Sequence, residues 1–149
     1  MLKLTLDEKR KYLEMLHNPN TLPFTAPDGY LDCLDQVDTE EVKITGSENQ
    51  EITVWIVRPK EKKAGTMAYM NIHGGGFVQP HHIWDSALCA VMALEFQCTV
   101  IDVDYRLAPD YPHPAAVIDC FDVYKWILDH REELGIDASR IVVGGNSAG

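Results

Sequence analysis

Three short apolar runs, Met67 to Ile72, Thr99 to Tyr105 and Ile141 to Val143, are separated by two segments of helical spacing, and this alternation restricts the fold more than any other feature. Each run is too short for a helix and rich in β-branched or aromatic residues. Between them, Asp85 to Phe96 carries Leu88, Val91, Met92 and Leu94 at helical spacing, while Pro114 to Leu134 opens with proline near its first turn and stops at Gly135. Uninterrupted apolar strands are buried on both faces, so helices must cover both sides of a mostly parallel sheet. The expected class is therefore α/β, and ligands in such sheets bind beyond the carboxyl ends of the strands.

Ahead of these units, Val42 and Ile44 alternate with polar residues, Gly46-Ser47 offers a turn, and Ile52 to Val57 is β-branched and aromatic before Pro59, which predicts an antiparallel hairpin beginning near Glu41. Thr5 and Glu8 have capping-box spacing, and Tyr12, Leu13 and Leu16 follow at helical intervals, so a first helix is expected from about Leu6 to His17. Asn18-Pro19 stops it, and Pro23, Pro27 and Gly29 make the stretch to residue 40 irregular, with room for one short helix.

Two motifs carry chemistry. Gly145-Asn146-Ser147-Ala148-Gly149 directly follows the last apolar run. Small residues two before and two after a serine allow a tight strand-to-helix turn that exposes its hydroxyl, and the N–H of Ala148 then points where an oxyanion forms. His73-Gly74-Gly75-Gly76-Phe77 follows the first apolar run. Consecutive glycines remove every Cβ, so backbone N–H groups can approach an acyl oxygen. A phosphate loop is disfavoured because no Gly-Lys-Ser/Thr follows and no Gly-x-Gly-x-x-Gly spacing is present.

With these motifs in this order, the chain resembles the hormone-sensitive-lipase-like carboxylesterases, members of the α/β-hydrolase fold. Asp104-Tyr105-Arg106-Leu107-Ala108-Pro109, Pro114-Ala115-Ala116 with Asp119, and Gly135 to Ile141 resemble further stretches of that family. The resemblance spans about residues 41 to 149, with residues 1–40 similar to the family's cap segment. It implies that Ser147 is the catalytic nucleophile, that Gly75, Gly76 and Ala148 form the oxyanion hole, and that His73 and Gly74 support the loop rather than supply the base. Asn146 stands where many members have Asp, beside the nucleophile and outside the triad. Asp104 and Asp119 are expected to be structural, and Arg106 to be an ion-pair partner rather than a substrate clamp.

The resemblance also implies that the triad acid and histidine lie beyond Gly149. We therefore expect the N-terminal half of the catalytic domain, nearly inert alone, with the missing half as a candidate partner chain, because a serine hydrolase deprived of its histidine loses on the order of 10⁶ in kcat. His73, His81, His82 and His113 have no spacing that aims them at Ser147. An uncovered edge at Ile141 to Val143 is an expected aggregation hazard. The expected substrate is a small-molecule ester, hydrolysed through an acyl-enzyme. Amide cleavage, an inactive fragment and a small-molecule-binding member of the same fold remain as alternatives.

Composition excludes other classes. With 23 acidic against 13 basic residues the net charge is −10, and no basic cluster tracks a phosphate backbone, so nucleic acid is not an expected partner. The Lys60 to Lys63 run, broken by Glu61, is expected to be a solvated turn. No apolar stretch approaches the length of a membrane span, and charge arrives by Asp7, too early for a secretory signal. Cys33, Cys89, Cys98 and Cys120 form no Cys-x-x-Cys pair, so no metal or other cofactor is expected and free thiols point to the cytoplasm.

Overall fold

The computed structural model describes residues 5–16, 29–61 and 66–149. His17, Asn18-Pro19, Pro23, Pro27, Lys62 and Lys63 lie outside them. The elements are α1 (Leu6–Leu16), a 3₁₀ helix (Tyr30–Gln36), β1 (Val37–Thr45), β2 (Glu51–Pro59), β3 (Ala68–Ile72), α2 (Ile83–Phe96), β4 (Thr99–Asp104), α3 (Ala115–Asp129), α4 (Arg131–Leu134), a second 3₁₀ turn (Ala138–Arg140) and β5 (Ile141–Gly145). The capping box at the start of α1 is present: Thr5 N and Oγ1 both donate to Glu8, and Glu8 N donates to Thr5 Oγ1.

The sheet runs β1-β2-β4-β3-β5. β2 is antiparallel to both β1 and β4, while β3 is parallel to β4 and β5, so β2 alone runs against the other strands. The hairpin begins at Val37, four residues ahead of the expected Glu41. Val37 is buried opposite Pro59, but Asp38, Thr39, Glu40 and Glu41 face solvent on the sheet's edge strand, where no apolar alternation marks them.

The core has two halves, one on each face of the sheet. Ile52, Val54, Met70, Ile101 and Val103 pack with Val123 and Ile127 of α3. On the other face, Val57 and Val100 meet Ala87, Cys89, Ala90 and Ala93 of α2, together with Cys33 of the 3₁₀ helix. Small residues along α2 let it lie close to the strands. The helix expected from Pro114 to Leu134 is divided. His130 leaves helical geometry at φ −102°, ψ 13°, its ring stacks on Trp126, and its Nδ1 donates to the Trp126 carbonyl, which also accepts the His130 N–H. Gly135, at φ 68°, ends α4 as the sequence suggested.

The hairpin turn is tied to α3 by buried carboxylates. Ser47 N and Oγ donate to Asp122 Oδ2 (2.8 Å each), and Gln50 Nε2 donates to Asp119 Oδ1 (2.9 Å). Arg106 joins Asp119 rather than open space, as expected of an ion-pair partner. β5 forms the other edge, pairing with β3, and its Val142 and Val143 are 49% and 50% exposed. Among the described residues no helix is long and apolar enough to cross a membrane.

Candidate active site

The chain passes from β3 out to β4 on one side and then back across to β5 on the other, so strand order reverses at β3. A crevice at the carboxyl ends of the strands is the expected ligand position for such a reversal. The two glycine motifs occupy it: one loop leaves β3 at His73, and the other leaves β5 at Gly145.

The β5 turn is tight enough to place Ser147 at φ 57°, a left-handed conformation unusual for a residue with a side chain. Gly145 and Gly149 make this possible. A Cβ on Gly145 would lie 2.5 Å from the Ile72 carbonyl oxygen, and one on Gly149 only 1.9 Å from the same atom. Asn146 N donates to Ile72 O (3.3 Å), and Gly149 N donates to Asn146 O (2.9 Å), closing the turn against the end of β3.

The β3 loop lies against this turn. A Cβ on Gly74 would sit 2.9 Å from Asn146 O and 3.4 Å from Ser147 Cβ, so only glycine permits the approach. Gly75 (φ 113°), Gly76 (φ 62°) and Phe77 (φ 64°) follow in positive-φ geometry. Gly75 O accepts from Val78 N and Gln79 N, and Phe77 O accepts from Ala108 N (2.9 Å). The N–H groups of Gly75, Gly76 and Ala148 donate to no acceptor among the described residues. Nor is the Ser147 hydroxyl hydrogen-bonded to a described histidine.

Beneath the loop lies a polar group that the sequence reading did not assemble. His73 is fully buried and stacks on Tyr105 (centroids 4.2 Å apart), while its Nδ1 donates to Gly74 O (2.7 Å). Tyr105 donates its hydroxyl to His73 O (2.8 Å), and burial pushes that phenol up to about 12, so it remains a donor. At the far end of the loop, His81 Nε2 donates to Asp102 Oδ2 (2.6 Å), and its ring lies against Trp55 of β2 (4.4 Å). The other Asp102 oxygen accepts from Asn71 Nδ2 (2.7 Å), the residue opposite it in the β3–β4 register. Burial, together with the neighbouring negative charge of Asp102, raises the Cys89 thiol.

Asp102 is 1% exposed, and among the described residues His81 is its one cationic partner. Burial alone disfavours the His81 imidazolium, but the hydrogen bond to Asp102 and the negative charges of Asp102, Asp85 and Asp104 outweigh it and hold His81 above the ordinary histidine range. Burial raises the Asp104 carboxyl despite the opposing charges of His73 and His81. A signal for this pair was present in the sequence: an aspartate inside Thr99-Val100-Ile101-Asp102-Val103 needs a buried partner.

The parallel strands, their helical crossovers and the turn at Ser147 define the α/β-hydrolase fold, and residues 69–149 match a family model described as alpha/beta hydrolase fold. An arylesterase of Saccharolobus solfataricus is 38% identical over 112 residues, covering 75% of this chain and 36% of that protein. Human hormone-sensitive lipase is 32% identical over 120 residues, covering 79% of this chain and 11% of the lipase. The solved structure of a bacterial heroin esterase superposes with a TM-score of 0.76 at 32% identity, over 97% of this chain and 43% of that one. The chain belongs to the hormone-sensitive-lipase-like carboxylesterase family of the α/β-hydrolase fold. It spans less than half the length of these relatives.

Proposed function

We propose that the chain supplies the nucleophile and the oxyanion-stabilising half of a carboxylic ester hydrolase. Ser147 Oγ attacks the ester carbonyl, its proton passes to a base, and the carbonyl oxygen becomes an oxyanion received by the N–H groups of Gly75, Gly76 and Ala148. Collapse expels the alcohol and leaves an acyl-enzyme, which water hydrolyses to carboxylate and free serine. The observation that carries this reading is the convergence of two loops on one strand end, with three backbone donors that meet no acceptor among the described residues around an exposed turn serine. Similarity to proteins named arylesterase and heroin esterase supports esters as substrates.

The described residues place no histidine on Ser147, so the base and its supporting acid must be brought to the serine from elsewhere in the working enzyme. The N-terminal segment ahead of β1 acts as a cap over the site in this reading. An ion pair between Arg10 of α1 and Asp110, in the segment after β4, supports that role. Cysteines that form no disulfide among the described residues support a cytoplasmic location.

The test is p-nitrophenyl ester hydrolysis by the working enzyme, with its base and acid in place, and by its Ser147→Ala variant, paired with labelling by a fluorophosphonate. Loss of turnover on the order of 10⁶ and loss of label are expected. Ester hydrolysis that survives the substitution would remove Ser147 from the mechanism.

A further inference from the structure

The loop that carries Gly74, Gly75 and Gly76 hangs between two histidines, and both are fastened to the same neighbouring strand. At its start, His73 stacks on Tyr105, whose hydroxyl holds the His73 carbonyl. At its end, His81 reaches Asp102, three residues before Tyr105. The two rings themselves meet edge to face, 5.8 Å apart at 86°. Between these anchors Phe77 O accepts from Ala108 N, the Phe77 ring meets Tyr105 (6.4 Å), the Tyr105 hydroxyl also reaches Gly74 O (3.4 Å), and Gly74 touches the serine turn.

The two anchors differ in kind. His73 is held by stacking and by hydrogen bonds at backbone carbonyls, whereas His81 is held by a buried carboxylate whose charge it balances. Asp102 is also engaged by Asn71, which brings no positive charge.

We propose that His81 is a positioning residue: its ion pair with Asp102 fixes the far end of the Gly74–Gly76 loop and so holds the backbone donors in register with Ser147. The proposal rests on the esterase reading for its catalytic consequence, but its structural consequence stands apart from it.

The groups facing His81 are Asp102 and Asp104 from β4, Asp85 from α2, and His73 from the end of β3, with Trp55 of β2 against the ring. The acidic groups favour the imidazolium. A histidine held above its ordinary value contributes its full stabilisation below that value, and the contribution is lost as pH rises through the raised one. The loop should therefore loosen on the alkaline side of the ordinary histidine range.

Hydrogen exchange at the Val78 and Gln79 amides, which donate to Gly75 O, and at the Ala108 amide, which donates to Phe77 O, expressed as protection factors across that range, reads the loop directly. In the unaltered protein, protection should fall by about tenfold for each unit by which the pair raises His81. His81→Gln keeps an N–H donor without the charge, and Asp102→Asn removes the carboxylate. Both should lower protection and abolish its pH dependence. In p-nitrophenyl acetate hydrolysis by the active enzyme, both should lower kcat by about 10- to 100-fold with KM little changed, short of the 10² to 10³ lost when a donor is removed outright.

Protection at Val78, Gln79 and Ala108 that is unchanged in the folded variants overturns the proposal. If a variant fails to fold, the His81 ring signal in the unaltered protein decides: titration at or below the ordinary histidine value, or titration without any change at these loop amides, is equally fatal. Ser147→Ala separates the two claims. Should that variant retain ester hydrolysis, the catalytic reading fails while the exchange result keeps its meaning.

Discussion

Asp119 offers the sharpest test of how this fold is held. It is fully buried, and it collects Arg106 N (2.8 Å), Arg106 Nε (3.0 Å to each oxygen), Arg106 Nη2 (2.8 Å) and Gln50 Nε2 (2.9 Å). Asp119→Asn preserves size but replaces one acceptor oxygen with an amine, so some of these donors must then face another donor. Breaking one side of a buried ion pair costs about 3–5 kcal/mol, and the lower end applies because Arg106 keeps Glu48 and water. Arg106 is 18% exposed and lies 2.9 Å from Glu48 Oε2, which supports that discount. We expect about 3 kcal/mol, or a fall in Tm of about 6–12 °C for a chain of this size. Asp122 is the control. It accepts from Ser47 and Gln50, which are neutral, so Asp122→Asn should cost about 0.5–1.5 kcal/mol. Urea titration by tryptophan fluorescence and circular dichroism, at unchanged m, measures both. If Asp119→Asn falls within about 1 kcal/mol of the parent, or no lower than Asp122→Asn, the claim that this carboxylate joins hairpin, β4 and α3 is wrong.

Two glycines should respond differently to the same methyl group. Gly74→Ala drives a Cβ into the Asn146 carbonyl and should lower kcat by about 100-fold, whereas Gly135→Ala, at the end of α4, meets no atom within 4 Å and should cost about 1–2 kcal/mol of left-handed strain with kcat kept. Equal kinetic losses would refute the contact. Burial raises the Cys33 and Cys89 thiols and pushes Cys120 up to about 12, so iodoacetamide at mildly alkaline pH should label these three slowly in the native protein and quickly in urea. Rapid native labelling of Cys120, counted by mass spectrometry, would contradict that.

Much of this architecture was legible because burial on both faces writes continuous apolar runs into the sequence. β3 and β4 were marked in this way and α2 by its helical spacing, whereas β5 carries the same apolar run although its Val142 and Val143 are half exposed at the sheet edge. The exceptions share a cause: polar or local interactions that leave no period. The first residues of β1 are exposed on an edge strand, and the break at His130 comes from one ring donating to the carbonyl four residues earlier. At the site, glycine spacing announced both loops, since only glycine tolerates the approaches found at Gly74, Gly145 and Gly149. The His81–Asp102 pair was harder to see. Its members lie 21 residues apart on different elements, and only the β3–β4 pairing brings them together.

The position of Ile72 explains why two loops so far apart in sequence can be kept in register. Its carbonyl oxygen accepts from Asn146 N, and it is the atom that Gly145 and Gly149 must clear. The next residue, His73, begins the glycine loop. The serine turn and the proposed oxyanion donors therefore hang from adjacent residues of one buried strand, and any shift of β3 moves them together. Relative displacement requires bending within the loop itself, beyond Gly74, where the chain takes positive φ at three successive residues and His81 is the next charged anchor. Since donors stabilise an oxyanion only when already placed where its charge develops, stiffness in this segment matters more than stiffness of the sheet as a whole.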